Sequence, residues 1–365
     1  MRIALLTSAK GWRGSAASYA KIARGLNERG HPTQLITAAP DLTARMATEK
    51  LPVVEIPGGN TGPREVQALW RALRGCTAQA VVVDRPRDLR LAALATLFHP
   101  ARIVYRYNLN YRPPRVHLAD RLYSRRVAAC VFQSEFIQNA AGRMEPWVRR
   151  VPGYRIPNGY DTTRFAPRPA AGDAFRQKWN IARDAVVVLT SAKLEPDKGQ
   201  AVAIAALNRI YDEVAGLTYV VCGNGAREQE LRQLAAAGPV PVRFTGLLEP
   251  DELVGALSSA NLVVHPSLHE IFPNAVGEAM ACARAIIAAD AGGTGELLGR
   301  DGSAGLLVPP SDPESLARET AALLRDANRR AYLGAAARRR IETEFTLDRM
   351  IDGYEAALEH VISGP

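Results

Sequence analysis

Short runs of β-branched and other apolar residues recur along the chain, and an amphipathic stretch follows each run. RIALLTS is followed by AASYAKIARGLNERGH and then by PTQLITA, and AQAVVVDRP precedes RDLRLAALATLF. Nearly continuous apolar strands that alternate with helices are typical of a parallel sheet covered by helices on both faces. The pattern therefore predicts a doubly wound α/β fold.

The alternation breaks once, in the segment RIPNGYDTTRFAPRPAAG, which is rich in Pro, Gly and Asn. It resumes with DAVVVLTSAK. A chain of 365 residues is longer than one domain with a single hydrophobic core usually is. We predict one domain over residues 1–165 and a second over 166–345. The last stretch, LDRMIDGYEAALEHVI, predicts a single amphipathic helix within 346–365 that no strand follows.

The first apolar run, IALLT, is far too short for a signal sequence or a membrane span, so we expect a cytoplasmic protein. The four cysteines are scattered without a CxxC pair, which indicates reduced thiols. The six histidines form neither HxH nor HExxH, and we predict no structural metal.

Charge is distributed unevenly along the chain. Residues 1–160 hold 25 Lys and Arg against 10 Asp and Glu, whereas the remainder has an acidic excess. Basic surface suits an anionic lipid, an anionic acceptor or nucleic acid. The alternative is a solvated arginine-rich surface without a partner.

The stretch HEIFPNAVGEAM holds two glutamates, Glu270 and Glu278, in a predicted loop and the helix after it. Loops at the carboxyl ends of strands line the ligand crevice of doubly wound domains. Pro273 fits the helix start and Asn274 its N-cap, and the free amides beyond them suit a phosphate. A phosphate flanked by two hydroxyl-bearing groups describes a nucleotide sugar; the alternative is two ordinary surface charges.

Two further loops carry weaker signals. In SAKLEPDKG, Lys193 and Lys198 are placed to reach a diphosphate and to stabilise charge on a leaving group, although lysines at loop tips are usually solvated. In KGWRGSAASYAKIARGL, Gly11 and Gly14 allow the backbone to approach a ligand closely. The third glycine of a GxGxxG motif is missing.

In combination these motifs resemble the family 4 retaining glycosyltransferases with the GT-B fold. The resemblance rests on IPNGYDTTRFAP, AKLEPDKG, VVCGNGAREQEL, ANLVVHPSLHEIFPNAVGEAMACA and AGGTGELL, in that order, and it is strongest over residues 156–320. It implies two Rossmann-like domains that face each other across a cleft, with the final helix crossing back to the first domain. Two glutamates with seven residues between them are the signature of this family.

The resemblance implies a role for each matching residue. Glu270 would lie beside the donor sugar and Glu278 on the ribose, while Lys193 and Lys198 would neutralise the diphosphate; Glu270, Lys198 and Lys193 would be the catalytic residues. The donor-binding residues would be Gly14, Lys193, Lys198, Gly246, Leu247, Glu270, Ile271, Phe272, Pro273, Asn274, Ala275, Val276 and Glu278.

This chain departs from the family pattern at three places. Ile271 stands where Gly usually follows the first glutamate, and the usual CGxPVV reads CARAII. A histidine commonly ends the fourth strand of the first domain and faces the sugar, but here that stretch reads VYRYNLN. We expect Arg106, Tyr107 or Asn108 to take its place on the acceptor side, or the role to be absent.

The resulting hypothesis is a retaining transferase that moves a hexose-type sugar from a nucleotide donor to a saccharide, glycolipid or small-molecule acceptor, without a metal or other cofactor. Synthesis of cell-surface polysaccharide, lipopolysaccharide or glycolipid is the expected setting, with peripheral contact at the inner face of an anionic membrane as one option. A sugar-nucleotide epimerase or a phosphorylase on the same fold is the alternative. A basic nucleic-acid-binding protein is a second alternative, but no recognition module supports it.

Overall fold

A computed structural model describes residues 1–9, 11, 14–59, 61–108 and 122–364. The chain divides into two compact units. The first unit comprises residues 1–159 and 347–365, and the second comprises residues 160–346.

The first unit contains a seven-stranded parallel sheet in the order β3-β2-β1-β4-β5-β6-β7. Its strands are β1 (Ile3–Thr7), β2 (Thr33–Thr37), β3 (Val53–Glu55), β4 (Ala80–Val83), β5 (Arg102–Arg106), β6 (Val127–Phe132) and β7 (Gly153–Arg155). The strand order reverses direction between β1 and β4, as in doubly wound sheets. Every residue of β1 and β4 is buried, because helices cover both faces.

The helices of this unit include the last one in the chain. They are α1 (Gly14–Glu28), α2 (Pro40–Thr48), α3 (Pro63–Gly75), α4 (Pro86–Ala95), α5 (Glu135–Met144) and, as the final helix, Leu347–Ser363. The final helix packs on α1, where a Cβ atom added to Gly25 would lie 2.5 Å from the Ile351 side chain. Its buried residues Met350, Ile351 and Tyr354 join the core of the first unit, which confirms the expected return of the final helix.

The second unit contains a six-stranded parallel sheet in the order β10-β9-β8-β11-β12-β13. Its strands are β8 (Val186–Ser191), β9 (Leu217–Cys222), β10 (Val242–Gly246), β11 (Leu262–His265), β12 (Ile286–Ala289) and β13 (Leu306–Val308). Here the order reverses between β8 and β11. Two doubly wound parallel domains confirm the fold class predicted from the sequence.

Helices cover both faces of the second sheet as well. They are α6 (Pro169–Lys178), α7 (Gln200–Arg209), α8 (Glu228–Ala236), α9 (Pro250–Ser259), α10 (Asn274–Ala281), α11 (Thr294–Leu298), α12 (Pro313–Arg325) and α13 (Ala327–Glu344); the final helix of the first unit is therefore α14. A buried apolar cluster lies on each face of the sheet. Val187 belongs to one cluster and Val188 to the other, because neighbouring residues on β8 point to opposite faces.

The unit boundaries differ from the predicted ones at residues 165/166 and 345/346. Tyr160 and Phe165 are buried in the core of the second unit. The backbone N–H of Tyr160 donates to the Phe345 carbonyl at 2.9 Å, and Tyr160 pairs with Thr346. The chain therefore leaves the first unit at Gly159, because this pairing draws residues 160–165 into the second.

No helix in the described part of the chain is long and apolar enough to cross a membrane. All four cysteines are unpaired, and Cys130, Cys222 and Cys282 are buried.

Candidate functional site

The candidate site lies where the strand order of the second unit reverses. Strands β8 and β11 are adjacent and parallel, with Leu262 opposite Val188, so their carboxyl ends meet at one edge of the sheet. Lys198 follows β8, and Glu270 follows β11. Ligands of doubly wound sheets bind at this kind of position, because loops from the two strands diverge there and leave a crevice.

Glu270 is held by two basic side chains at the same oxygen atom. Lys198 Nζ lies 2.8 Å from Glu270 Oε1, and His265 Nε2 lies 3.0 Å from it. The Glu270 and His265 side chains are only 13% and 5% exposed. Burial by itself would raise the pKa of Glu270, but His265 and then Lys198 outweigh it and lower that pKa to about 2. Glu270 is therefore a half-buried, ionised carboxylate at neutral pH.

The same pair affects Lys198. Burial lowers the pKa of Lys198, whereas the carboxylates of Glu270 and Asp197 raise it, and the net shift is upward. Asp197 Oδ2 lies 3.4 Å from Lys198 Nζ. Lys198 thus carries its positive charge beside Glu270, at the place where the sequence predicted contact with a diphosphate.

Glycine at position 292 allows the loop after β12 to pack against Glu270. Gly292 has a φ of +59°, and a Cβ atom there would lie 1.6 Å from the Glu270 carbonyl oxygen. The next amide, of Gly293, donates to that oxygen at 3.4 Å. The segment AGGTG thus fixes the backbone of Glu270, and a side chain at position 292 would displace it.

Helix α10 begins one residue earlier than a cap at Asn274 would place it. Pro273, with extended backbone angles, is the N-cap, and Asn274 is the first helical residue, so the assignment of Asn274 as the cap is wrong. The Pro273 carbonyl accepts the first helical bond, from Gly277 at 3.3 Å. The amides at the start of α10 and the helix dipole form a region favourable to an anion. Glu278 lies one turn into the helix and is half-buried.

Tyr160 packs against the start of α10 and stabilises it, a role that the sequence did not indicate. Its hydroxyl donates to the Pro273 carbonyl at 3.3 Å. Its ring packs against Gly277, where a Cβ atom would come within 2.1 Å of it. Burial raises the pKa of Tyr160, and the carboxylates of Glu278 and Glu270 raise it further. The hydroxyl therefore stays protonated and acts as a donor.

The other residues of the second unit that the sequence predicted to bind a donor lie along the same edge of the sheet. Lys193 is exposed, and its Nζ atom is 3.5 Å from Glu195 Oε1. Gly246 ends β10 with a φ of +71° and accepts from the Gly223 amide at 2.8 Å, while Leu247 beside it is 70% exposed. Their contacts with a donor stay predictions.

The residues between the two glutamates, in the loop and in the first turn of α10, divide into buried and partly exposed positions. Phe272 and Val276 are buried, and the Phe272 ring packs on Phe345 with centroids 5.5 Å apart. Ile271 and Ala275 are half-buried. The buried pair anchors the loop in the core, so that any donor contact from Phe272 or Val276 would come from the backbone.

His265 was missed by the sequence analysis, although it shares the Glu270 oxygen with Lys198. It is the last residue of the buried strand Leu262–His265 and is 4% exposed. A polar residue that ends an otherwise apolar strand, five positions before a candidate carboxylate, is the signal that could have identified it.

Residues of the first unit predicted to face the acceptor are mostly buried. Arg106 is 3% exposed, and it donates to Tyr354 Oη and to Asn158 Oδ1, each at 3.1 Å. Tyr107 is 1% exposed and donates to Glu145 at 2.7 Å. These internal partners explain why neither side chain is presented to solvent within the first unit.

Two further predicted positions of the first unit have some exposure. Asn108 is half-buried, and it is the most accessible of the three residues proposed for the acceptor side. Gly14 is exposed at the first position of α1. Their contacts with acceptor or donor stay predictions.

A pair of buried carboxylates lies where the first sheet reverses. Asp84 and Asp88 are both 0% exposed. Asp88 Oδ2 accepts from the Ser8 amide at 2.9 Å and from Ser8 Oγ at 3.0 Å. Burial raises the pKa of Asp88 to about 6, and the nearby charge of Asp84 contributes. Asp88 therefore titrates near neutral pH.

Comparison with known families decides which group of proteins this architecture belongs to. The family model described as "Glycosyltransferase Family 4" matches residues 12–164, and the one described as "Glycosyl transferases group 1" matches residues 172–340. The chain belongs to glycosyltransferase family 4. The two matches together span most of the chain and fall on its two units.

Curated relatives share part of their length with this chain. A GDP-mannose-dependent monoacylated alpha-(1-6)-phosphatidylinositol monomannoside mannosyltransferase of Corynebacterium glutamicum is 30% identical over 203 residues, which cover 53% of each chain. A D-inositol 3-phosphate glycosyltransferase of Salinispora tropica is 35% identical over 224 residues, which cover 55% of this chain and 46% of the relative. The chain thus spans about half the length of the curated relatives it matches.

Solved structures of the GT-B type share the fold over nearly the whole chain. Anabaena Alr3699/HepE in complex with UDP and glucose aligns with a TM-score of 0.87 at 20% identity, covering 98% of this chain and 99% of that one. WaaG, a glycosyltransferase involved in lipopolysaccharide biosynthesis, aligns with a TM-score of 0.72 at 16% identity over the full length of both chains. These likenesses show that the chain has the GT-B fold.

Proposed function

We propose that the protein transfers a hexose-type sugar from a nucleotide-sugar donor to an acceptor hydroxyl, with retention of the anomeric configuration. The observation that carries the proposal is the ionised Glu270, held by Lys198 and His265 just before the start of α10. A fixed anion can bind sugar hydroxyls and stabilise positive charge that develops on the sugar ring. Membership of glycosyltransferase family 4 supports this assignment.

The geometry suggests how Glu270 would serve a sugar. Lys198 and His265 both contact Oε1 of its carboxylate. The second oxygen, Oε2, would accept hydrogen bonds from the sugar. Because His265 and Lys198 keep the carboxylate deprotonated, it remains an acceptor across the physiological pH range.

The diphosphate of the donor would bind at the start of α10, with Lys198 and Lys193 as its cationic partners. The helix amides and these lysines would stabilise the negative charge that the leaving group gains as the glycosidic bond breaks. Positive potential from these groups would replace a divalent metal ion. Glu278, one turn into α10, would bind the ribose hydroxyls.

The anomeric configuration would be retained because the leaving diphosphate would help to deprotonate the acceptor hydroxyl on the same face of the sugar. The new bond then forms on the face from which the diphosphate departs. Glu270 would stabilise the positively charged ring and would form no covalent intermediate. Alignment of donor and acceptor would supply much of the remaining rate enhancement.

An acceptor that carries a phosphate group is the chemical class we propose. The curated relatives are named for phosphatidylinositol monomannoside and D-inositol 3-phosphate, both of which contain a phosphate ester. The first 160 residues of this chain hold 25 basic against 10 acidic residues. A basic acceptor domain would attract such an anion over a distance of about one Debye length, ~10 Å.

A two-step screen tests the proposal. Thermal unfolding with UDP-, GDP- and ADP-sugars should identify the donor, because a ligand that binds the folded state stabilises it by mass action. Turnover of that donor is then measured with inositol phosphate, phosphatidylinositol and neutral sugars as acceptors. Transfer to a phosphate-bearing acceptor with the α or β configuration of the donor retained is the expected result. Inversion at the anomeric carbon, or dependence on inorganic phosphate alone, would contradict it.

A further inference from the structure

The first unit exposes large apolar side chains directly after α4. Phe98 is 81% exposed and Leu97 is 56% exposed, and Phe98 is the most exposed large apolar residue in the described part of the chain. They end the short 3₁₀ turn Thr96–Phe98. Leu122, from a different segment of the first unit, is 61% exposed. Large apolar side chains gathered at a surface indicate an interaction site rather than ordinary scatter.

Hydrogen bonds bring the neighbouring segments together around this turn. Trp70 Nε1, on α3, donates to the Phe98 carbonyl at 3.1 Å. Arg126 donates to the Thr96 carbonyl at 2.6 Å and thereby holds the segment that contains Leu122 beside the turn. The Arg74 guanidinium lies 4.8 Å above the Trp70 ring. We refer to Trp70, Arg74, Leu97, Phe98, Leu122 and Arg126 as the aromatic–basic patch.

The aromatic–basic patch occupies the amino-end edge of the first sheet. Arg74 precedes β4, Phe98 precedes β5, and Arg126 precedes β6. Because these strands are parallel, their starting ends lie at one edge, while Asp84 and Asp88 follow β4 at the other. The patch is therefore separate from the edge where a doubly wound domain binds its ligand.

The charge of the patch is uniformly positive among the described residues. Arg74 and Arg126 are exposed, as are the adjacent Arg71 and Arg125, and none of these four forms a salt bridge with a described residue. Arginine suits phosphate groups because its planar guanidinium donates two parallel hydrogen bonds. Tryptophan beside an apolar tip suits the boundary between water and lipid.

We infer that the aromatic–basic patch docks the protein on an anionic lipid bilayer, with Phe98 and Leu97 entering the headgroup region and the arginines binding lipid phosphates. A second copy of the chain is a poorer occupant, because two like-charged arginine clusters would repel each other across the interface. A bilayer satisfies both halves of the patch, since interfacial binding combines apolar burial with attraction to anionic lipids. This inference is independent of the glycosyl transfer proposed above.

The test is co-sedimentation of the intact chain with vesicles of phosphatidylglycerol and phosphatidylcholine, or of phosphatidylcholine alone, at about 0.05 M and about 0.5 M salt. We expect retention on the anionic vesicles only, with most of it lost at high salt. Phe98→Ser should lower the partition coefficient about tenfold, and Arg126→Gln about fivefold. Tyr332→Ser is the matched control, because Tyr332 is a 63% exposed aromatic residue of the second unit.

Fluorescence gives a second readout at the patch itself. Anionic vesicles should shift the emission of the wild-type chain to shorter wavelength, and Trp70→Phe should remove that shift without abolishing retention. Equal retention of Phe98→Ser and the wild type, with both chains folded by thermal unfolding, would overturn the inference. Lack of retention on anionic vesicles at low salt would also overturn it, as would a dimer in sedimentation equilibrium that Phe98→Ser dissociates without any vesicle binding.

Discussion

The Nε2 atom of His265 lies 3.0 Å from Oε1 of Glu270, and the same oxygen accepts a hydrogen bond from the Lys198 ammonium. His265 is almost fully buried at the end of β11, so it has little freedom to leave. Lys198, in contrast, is 21% exposed at its side chain, and a bound diphosphate could draw it away from Glu270. His265 would then be the partner that keeps Glu270 in place and ionised.

We therefore predict that His265→Leu lowers kcat at least ~10-fold and shifts the acid limb of the pH–rate profile upward. The shift follows because loss of His265 removes a cause of the low Glu270 pKa, about 2, and lets it move toward its ordinary value. His265→Gln retains a donor and should restore much of the rate. His360→Gln, on the exposed surface of α14, is the control. Identical pH profiles for wild type and His265→Leu would remove His265 from this role.

Asp88 should make the stability of the protein depend on pH. Its pKa is raised to about 6 in the folded state, from an ordinary value of 3.8. The folded state therefore binds the proton more tightly, and this contribution to stability is present below pH 4 and is lost as the pH rises through about 6. Asp88→Asn imitates the protonated form and still accepts from Ser8.

Urea unfolding of Asp88→Asn at pH 4 and pH 8 measures this effect. We compare the free energy of unfolding of the variant with that of the wild type at each pH. This difference should favour the variant more at pH 8 than at pH 4, by on the order of 1–3 kcal/mol. Asp212→Asn, at an exposed position, should change the two values equally. Parallel pH dependence of wild type and Asp88→Asn would show that Asp88 is ionised with its ordinary pKa.

Turnover should survive removal of divalent metal ions. Lys198, Lys193 and the start of α10 supply positive potential to the proposed diphosphate position. Assays with and without excess EDTA should therefore agree within about twofold. Inhibition by EDTA that Mg²⁺ or Mn²⁺ reverses would show that a metal carries the charge assigned here to the lysines and the helix.

Glu278→Ala should weaken donor binding more than it lowers kcat. Contacts to the ribose are similar in the ground state and the transition state, so they contribute mainly to affinity. Calorimetry with the preferred donor should show at least ~10-fold weaker binding, whereas Glu314→Ala, an exposed glutamate of the same unit, should bind normally. Unchanged affinity in Glu278→Ala would place the ribose elsewhere.

The fold and the meeting of the loops that carry Lys198 and Glu270 could be predicted, because they depend on local pattern. Apolar strands that alternate with helices specify a doubly wound sheet, and adjacency of β8 and β11 brings Lys198 to Glu270 once that topology is formed. Features that depend on distant partners could not be predicted. Tyr160 belongs to the second unit because it pairs with Thr346.

The acceptor side shows the same limit. Arg106 is directed inward by Tyr354, which lies on the last helix of the chain, and no spacing near Arg106 indicates this contact. His265 was overlooked for a different reason. A histidine at the end of a buried strand resembles an ordinary core residue until the position of the Glu270 loop is known.

The most direct test of the account is turnover of the preferred nucleotide sugar by Glu270→Ala and Lys198→Ala. Each should lower turnover at least ~100-fold with the fold intact, the scale of losing a charge contact made in the transition state. Lys178→Ala, at an exposed lysine of α6, should turn over at the wild-type rate. Turnover near that of the wild type in both site variants would show that sugar transfer does not occur at Glu270 and Lys198.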